Sequence, residues 1–441
     1  MTNIYIQTHG CSANAAESEI MMGLLSKGGF HIVDDMEYSD VNIINICTVK
    51  GPVVPLMEIK NITEHYPGKK LIVTGCITRD IIPLIRQITQ EASLINTSNI
   101  HRIVEAAEES LHGNVLEALT QDKPIKVSLP KVRANKIVGI VPIASGCADA
   151  CTYCSVKLAK GDIFSYPEEH IVSEIKNNVE QGCREIWLTS QDNGAYGLDS
   201  GERKLNTLLN AILNKVPGNY KIRLGMINPR HIMPMIDCLL QIYQDDRMFK
   251  FLHTSIESGN NEILGKMERH YTVHDFKEIV EKFRRYVKDI TIATDIIVGF
   301  PTETELQFQD SLHLMQDVKP EIVNIASFIP RPNTKSAKME GQIQASIKNE
   351  RSNAMTELFK SIALKQNQRW VGWEGKIIID EVGRDNIWIG RNFAYKPVIV
   401  RGNFTLGEEV DVKIKEATPY DLRADNVDAP QIEISVEKNF T

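Results

Sequence analysis

Two sets of three cysteines are the residues whose types and spacing point most directly to chemistry. One set is compact, with the pattern Cys-x-x-x-Cys-x-x-Cys, and the other is spread over the first quarter of the chain. A structural zinc site closes with four protein ligands, and a four-iron cluster normally takes four thiolates. A set of three therefore leaves one coordination position open for a reacting molecule. The compact set is Cys147, Cys151 and Cys154, and the dispersed set is Cys11, Cys47 and Cys76.

The compact set follows an apolar run at residues 137–144, which predicts a β-strand. Its cysteines therefore fall on a loop at the carboxyl end of a strand, where barrel enzymes build their active sites. A closed zinc site would need a fourth ligand such as His170 or Cys183, and neither stands at the usual spacing. An open iron–sulfur site is the favoured interpretation, with zinc or simple packing as alternatives.

Each cysteine of the dispersed set also follows an apolar, strand-like run, at residues 4–6, 41–46 and 71–75. Parallel strands bring their carboxyl ends to one edge of a sheet, and in open α/β sheets that edge is the ligand crevice. We therefore expect Cys11, Cys47 and Cys76 to converge there. The alternative is that they are ordinary buried thiols, since cysteine is among the most buried residue types.

The middle of the chain predicts a scaffold for the compact set. Six apolar, β-branched runs alternate with stretches compatible with helices, which is typical of parallel βαβ units. Six such units predict a partial barrel that is open on one side. The runs lie at residues 137–144, 185–189, 221–226, 251–256, 290–298 and 322–328.

The loop GCADACTYC at residues 146–154 resembles the signature of the radical S-adenosylmethionine (SAM) superfamily, with Tyr153 as the aromatic residue before the third cysteine. The resemblance implies that the open iron binds the amino and carboxylate groups of SAM, and that an electron then cleaves SAM to methionine and a 5′-deoxyadenosyl radical. Polar residues near the strand ends would line the SAM pocket, although such residues also serve as caps and loop hydrogen bonds. The residues assigned to SAM are Tyr153, Gln191, Ser255, Glu257, Arg269 and Asp295.

Two open clusters in this order resemble the methylthiotransferase family of that superfamily. The resemblance implies two [4Fe-4S] clusters and no catalytic side chains beyond their ligands. One SAM would methylate a sulfur held at the dispersed set, and a second would supply the radical that activates an aromatic C–H bond. The first domain must then dock over the open barrel mouth. The motifs that carry the resemblance are QTHGCSAN (7–14), ICTV (46–49), VTGC (73–76), TSIESG (254–259), MERHYT (267–272), TDIIVGFPTET (294–304) and FIPRPNT (328–334).

Residues 145–167 and 188–197 look most like the archaeal and eukaryotic branch of the family, which acts on N6-threonylcarbamoyladenosine at tRNA position 37. Asp149 departs from that branch, which commonly carries Asn there. Sibling branches act on isopentenyladenosine in tRNA or on an aspartate of a ribosomal protein, and both stay open as substrates. A more distant alternative is a non-catalytic iron–sulfur protein that binds RNA and senses redox state, but it would have no use for the SAM motifs.

Composition changes along the 441 residues predict three domains joined by one linker. Residues 1–113 form an amino-terminal methylthiotransferase domain, and residues 114–136 form an extended, basic linker with two prolines. Residues 137–369 form the radical SAM domain. Short strands with Gly and Asn turns over residues 370–434 predict a small β-barrel that resembles the RNA-binding TRAM domain.

The net charge of −7 is unusual for a nucleic-acid protein, so an RNA footprint must be local. Basic residues cluster in the last domain, between Arg384 and Arg401, and in the linker, where the alternative is an ordinary solvated surface. The chemistry also implies an electron donor protein of the flavodoxin or ferredoxin type and a sulfur donor. The polar start of the sequence and the reduced cysteines predict a cytoplasmic protein without a membrane span, and we expect a monomer. The residues assigned to RNA are Lys157, Lys160, Arg331, Arg384, Arg391, Lys396 and Arg401.

Overall fold

The computed structural model describes residues 1–47 and 51–427. Thr48 and Val49 of the first-domain motif, and residues 428–434 at the predicted end of the last domain, lie outside the described residues. Three sheet-based units follow one another along the chain. Within the described ranges, no helix is both long enough and apolar enough to cross a membrane.

The first unit is an open, wholly parallel sheet with the strand order β2-β1-β3-β4-β5-β6. The central strand β3 is buried along its whole length, as expected for a parallel sheet covered on both faces. The strands are β1 (Asn3–Thr8), β2 (His31–Ile32), β3 (Val41–Cys47), β4 (Lys70–Cys76), β5 (Ser93–Asn96) and β6 (Glu117–Ala118). The helices are α1 (Ser12–Lys27), α2 (Val53–His65), α3 (Ile82–Ile88) and α4 (Ile103–Leu111).

The second unit contains six parallel strands in two groups of three, with the orders β11-β10-β7 and β12-β13-β14. The groups adjoin where the Ile227 N–H donates to the His253 carbonyl at 2.9 Å. The strands are β7 (Val138–Pro142), β10 (Glu185–Thr189), β11 (Lys221–Leu224), β12 (Phe251–His253), β13 (Thr291–Val298) and β14 (Ile322–Ser327). A short antiparallel pair, β8 (Ala144–Ser145) and β9 (Phe164–Ser165), flanks the cysteine loop. The predicted partial barrel is confirmed.

Helices pack on the outer face of this barrel and form the main hydrophobic core with it. Two of them begin with a capping box, at Thr272 and Asp275 and at Thr304 and Gln307, which satisfies the first free N–H groups of each helix. The helices are α5 (Val156–Lys160), α6 (Glu168–Glu180), α7 (Leu205–Lys215), α8 (Pro229–Ile232), α9 (Ile236–Ile242), α10 (Asn261–Lys266), α11 (Val273–Tyr286), α12 (Glu305–Val318) and α13 (Ala345–Gln368).

The third unit is a closed five-stranded barrel with the order β15-β16-β17-β19-β18, as the sequence predicted. One of its loops reaches into the barrel of the second unit. The ring of Tyr395 packs against Phe249 and Phe251, at centroid distances of 4.9 and 5.1 Å, and the Arg223 guanidinium lies over the same ring. The strands are β15 (Glu374–Val382), β16 (Ile387–Arg391), β17 (Pro397–Arg401), β18 (Glu409–Ala417) and β19 (Leu422–Asn426).

Residues 114–136, the predicted linker, pack along the first unit. Strand β6 extends the first sheet into this segment, and the Val132 N–H donates to the Glu19 carbonyl of α1 at 3.0 Å. A Cβ atom at Gly23 would lie 2.3 Å from the Pro130 carbonyl, so the segment packs closely against α1. The Lys131 side chain is 7% exposed and pairs with Glu174 of α6 at 2.6 Å. The segment is therefore held by both of the units that it joins.

Candidate active site: two cysteine sets at one domain interface

The compact cysteines lie on a tightly held loop between β8 and α5. Gly146 has φ +75°, and a Cβ atom there would lie 2.2 Å from the Asp162 carbonyl, so a residue without a side chain is needed. The Thr152 N–H donates to the Met267 carbonyl at 3.1 Å, and the Ser336 N–H donates to the Thr152 carbonyl at 2.9 Å. The loop is therefore fixed from both sides by parts of the barrel distant in sequence.

Two donors already point at the sulfur atoms of this loop. Arg269 Nη1 donates to Cys151 Sγ at 3.3 Å, and the Val156 N–H donates to Cys154 Sγ at 3.5 Å. Burial raises the pKa of all three thiols, that of Cys154 to about 12, so ligation has to displace protons. Three sulfur ligands on one loop with N–H donors beside them fit an iron–sulfur site with one open position.

Four of the six residues assigned to SAM meet around Arg269. Its Nη2 donates to Ser255 Oγ at 3.1 Å and lies 3.9 Å from Glu257 Oε1. Tyr153 is close enough to hydrogen-bond Glu257, a carboxyl group whose pKa is raised by burial. Glu257 also has φ +69°, a rare backbone conformation that the site imposes.

The side chains around Arg269 support a polar ligand. A guanidinium, a carboxyl group and a hydroxyl group meet beside the compact cysteines. Such a set can pair with both an amino group and a carboxylate. The residues present therefore fit a ligand such as SAM.

The other two residues assigned to SAM have different surroundings. Asp295 lies next to the Arg269 group and accepts a hydrogen bond from Asn324 at 2.8 Å, while its second oxygen lies 2.8 Å from His253 Nε2. Burial opposes its ionisation, but these partners lower the pKa of Asp295 overall. Gln191 lies toward α1 instead, where it lines a small cavity with Lys160. The structure thus brings five of the six together and separates Gln191.

The polar run after β10, from which Gln191 was assigned to SAM, also contains Asp192. The Asp192 carboxylate is buried and accepts hydrogen bonds from the N–H groups of Gly194 and Asn228, at 2.9 and 3.2 Å. Burial raises the pKa of Asp192 to about 7. Asn228 also donates to Asp149 at 2.7 Å, which ties the cysteine loop to the end of β11. The polar run after β10 was visible in the sequence, but the sequence did not show which of its residues holds the site together.

The dispersed set lies at the carboxyl edge of the first sheet. Cys47 and Cys76 are the last residues of β3 and β4, stand opposite each other in register, and are in hydrogen-bond contact. Gly75 allows this approach, since a Cβ atom there would lie 2.3 Å from the Ile46 carbonyl. Cys11 follows β1, and its Sγ lies 3.5 Å from the Asn14 side-chain oxygen.

The first two units contact each other close to both sets. Ser12 Oγ, next to Cys11, lies 2.8 Å from Thr189 Oγ1 at the end of β10. Arg331 lies close to Cys154 of one set and to Cys47 of the other. Its Nη1 atom is buried without a hydrogen-bond partner in the described ranges. An arginine with an unused donor is therefore near both sets.

The remaining residues assigned to RNA fall into two groups. The first group can be reached from solvent. Arg384 and Arg401 lie at the same end of the third unit, where Arg401 is exposed. Lys157 is partly exposed and is paired with Asp162 at 2.8 Å. The structure argues against RNA contacts for the other three, because they are wholly or largely enclosed with partners. Lys160 pairs with Glu17, Arg391 pairs with Asp380, and Lys396 donates to Asn367.

Three parts of the sequence match known family profiles. Residues 3–97 match the uncharacterized protein family UPF0004, residues 141–315 match the radical SAM superfamily, and residues 368–427 match the TRAM domain. Among solved structures, the radical S-adenosylmethionine methyltransferase TsrM from Kitasatospora setae aligns with a TM-score of 0.56 at 15% identity, over 76% of this chain and 77% of that chain. At that identity the likeness shows the fold alone.

Curated relatives match over nearly the whole chain. The probable threonylcarbamoyladenosine tRNA methylthiotransferase of Methanothermobacter thermautotrophicus is 38% identical over 96% of this chain and 99% of its own length. The Drosophila melanogaster and Homo sapiens threonylcarbamoyladenosine tRNA methylthiotransferases are 35% and 34% identical, each over 96% of this chain and over 78% and 74% of their own lengths. The chain belongs to the threonylcarbamoyladenosine tRNA methylthiotransferase family within the radical SAM superfamily.

Proposed function

We propose that this chain is a radical SAM methylthiotransferase that converts N6-threonylcarbamoyladenosine at tRNA position 37 to its 2-methylthio derivative. The observation that carries the proposal is that the two three-cysteine sets lie at the carboxyl ends of strands in two units that contact each other at Ser12 and Thr189. A C2–H bond of adenine is neither acidic nor electrophilic, so ordinary acid–base side chains cannot activate it. The chemistry then belongs to cofactors, and the protein supplies position and exclusion of water.

We infer two [4Fe-4S] clusters, one on each set, together with SAM at the compact set. When bound, these groups would supply a carbon-centred radical on the barrel side and a methylated sulfur on the side of the first domain. Arg269 holds the compact loop through Cys151 and orients Ser255 and Glu257 toward it. The contact between Ser12 and Thr189 fixes the distance between the two halves of the site. An electron donor protein and a sulfur donor are required partners of this scheme.

The substrate's side group is the feature that separates this reaction from its siblings. Threonylcarbamoyladenosine carries a carboxylate, whereas isopentenyladenosine carries only an apolar chain. Of the three basic residues that the sequence assigned to RNA near the loop, Lys157 and Lys160 already have carboxylate partners, at 2.8 and 3.3 Å. Arg331 has a donor to spare. We therefore assign the carboxylate to Arg331. The SAM residues that meet around Arg269 favour an enzyme over a redox sensor, which would not need them, and we propose that this enzyme is a cytoplasmic monomer.

Mass spectrometry of nucleosides tests the proposal. Anaerobically reconstituted protein is incubated with SAM, dithionite, sulfide and tRNA that carries threonylcarbamoyladenosine, and we expect the 2-methylthio nucleoside to accumulate. The same tRNA without the threonylcarbamoyl group and a tRNA with isopentenyladenosine serve as controls. Equal or better turnover of the isopentenyl form would overturn the substrate assignment and leave the wider reaction class intact.

The arginines at one end of the third unit make a separate prediction about RNA affinity. Changing both Arg384 and Arg401 to Ala should weaken tRNA binding and make the affinity less dependent on salt, by about one unit of slope for each phosphate that is no longer neutralised. Lys360→Ala, which removes an exposed lysine from α13, is the matched control. Filter binding at several salt concentrations measures both quantities. An unchanged slope in the double variant would contradict phosphate binding at this end of the barrel.

A further inference from the structure

Three buried charges meet where the first domain, the connecting segment and the cysteine loop come together. Glu17 lies on α1, Lys126 belongs to residues 114–136, and Lys160 is the last residue of α5. All three are at most 6% exposed. Glu17 Oε1 lies 2.8 Å from Lys126 Nζ and 3.3 Å from Lys160 Nζ. Two ammonium groups thus share one carboxylate oxygen, which leaves a buried charge of +1.

Lys160 is the surplus member of this cluster. Lys126 makes a short bond to Glu17 and a second bond to the Thr97 carbonyl at 2.8 Å, so the pair of Lys126 and Glu17 is complete by itself. Lys160 makes one long bond, although an ammonium group can donate three. A buried charge without full compensation costs several kcal/mol in general, so a chain keeps one where a further anion is present.

Lys160 also lies close to the dispersed set. Helix α5, which ends on Lys160, packs against β4, which ends on Cys76. Its partner Glu17 lies on α1, and Cys11 directly precedes that helix. Cys76 and Cys11 are both close enough to Lys160 to interact with its charge. Lys160 follows Cys154 of the compact set by six residues, and yet it lies beside the dispersed set. The barrel therefore contributes a cation to a site whose ligands all come from the first domain.

We propose, on the basis of the function proposed above, that Lys160 is a positioning residue of the dispersed site: it balances the negative charge of three thiolates and their metal-bound sulfur. The dispersed site is then complete only when the barrel is docked against the first domain. In the metal-free protein the Lys160 ammonium is an uncompensated charge and lowers stability. In the metal-loaded protein it is paired with the negative charge of the site and raises stability. An ordinary structural ion pair would instead stabilise the metal-free and the metal-loaded protein alike.

The test uses full-length protein in which Cys147, Cys151 and Cys154 are changed to Ala, so that iron reports on the dispersed set alone. Lys160→Met is compared with Lys160→Arg, which keeps the charge, and with Lys157→Met, which removes a neighbouring lysine directed at Asp162. Urea unfolding of the metal-free protein and the rate of iron loss to a chelator are measured for each. Electron paramagnetic resonance of the reduced cluster provides a third readout.

We expect Lys160→Met to leave metal-free stability unchanged or higher, to speed iron loss about tenfold, and to alter the resonance spectrum. Lys160→Arg should restore slow iron loss, and Lys157→Met should change nothing. Equal destabilisation of the metal-free and loaded forms by Lys160→Met, or iron loss at the unaltered rate, would overturn the role of Lys160. Failure of the Lys160-containing protein to bind iron at all would instead overturn the two-cluster function on which the proposal rests.

Discussion

Changing Cys11, Cys47 and Cys76 together to Ala is expected to abolish methylthio transfer while reductive cleavage of SAM continues. The compact loop is held by Met267 and Ser336, both within the second unit, so it does not need the dispersed cysteines to keep its shape. The radical-generating half of the site should therefore survive. Quantifying 5′-deoxyadenosine and methylthio nucleoside in the same reaction measures both halves at once.

Iron content provides the control for this experiment. The unaltered protein should hold about eight irons as two four-iron clusters, and the variant lacking the dispersed cysteines about four. The reciprocal variant, with Ala at Cys147, Cys151 and Cys154, should also hold about four irons but form neither product. If the first variant lost 5′-deoxyadenosine formation as well, the two sites would depend on each other for assembly.

Arg331→Gln is expected to lower turnover of threonylcarbamoyladenosine tRNA by about tenfold to a hundredfold. A charge-assisted hydrogen bond contributes about 1.5–3 kcal/mol, and about 1.4 kcal/mol corresponds to one factor of ten. Gln keeps a donor but loses the charge that the substrate carboxylate needs. Turnover is compared on tRNA with the natural side group and on tRNA whose threonyl carboxylate has been converted to an amide.

The amide substrate decides what Arg331 does. If the guanidinium binds the carboxylate, the unaltered enzyme should be less active on the amide, and Arg331→Gln should cause little further decrease. An equal decrease on both substrates would mean that Arg331 acts on a group common to both, such as the base or the sulfur. Lys157→Gln, a change at a lysine already paired with Asp162, should leave the selectivity unchanged.

The cysteine sites and most of the scaffold could be predicted because they depend on local sequence. Strand β10 covers Glu185–Thr189, the same residues as the predicted run, and β3 and β4 end on Cys47 and Cys76. Alternating apolar runs were sufficient to predict the strands, and the cysteines were sufficient to indicate the kind of site. The order of parallel strands then brought the dispersed cysteines together without any knowledge of long-range contacts.

The buried charges could not be predicted, because their partners are far away in sequence. Lys126 finds Glu17 across 109 residues, and Lys160 finds it across 143. A lysine in a polar segment is typically exposed. These two lysines are buried because α1, residues 114–136 and α5 pack against one another. Lys396 is a similar case: burial lowers its pKa to about 8 inside a barrel that was expected to display it to RNA.

Tyr395 follows all six barrel strands in the chain, yet it fills the inside of a barrel whose first strand starts at Val138. A nascent chain that stops short of it leaves Phe249, Phe251 and the Arg223 side chain uncovered. Exposed aromatic surface of this kind attracts chaperones and proteases. A nonsense mutation between the barrel and Tyr395 should thus remove the whole enzyme from the cell through quality control.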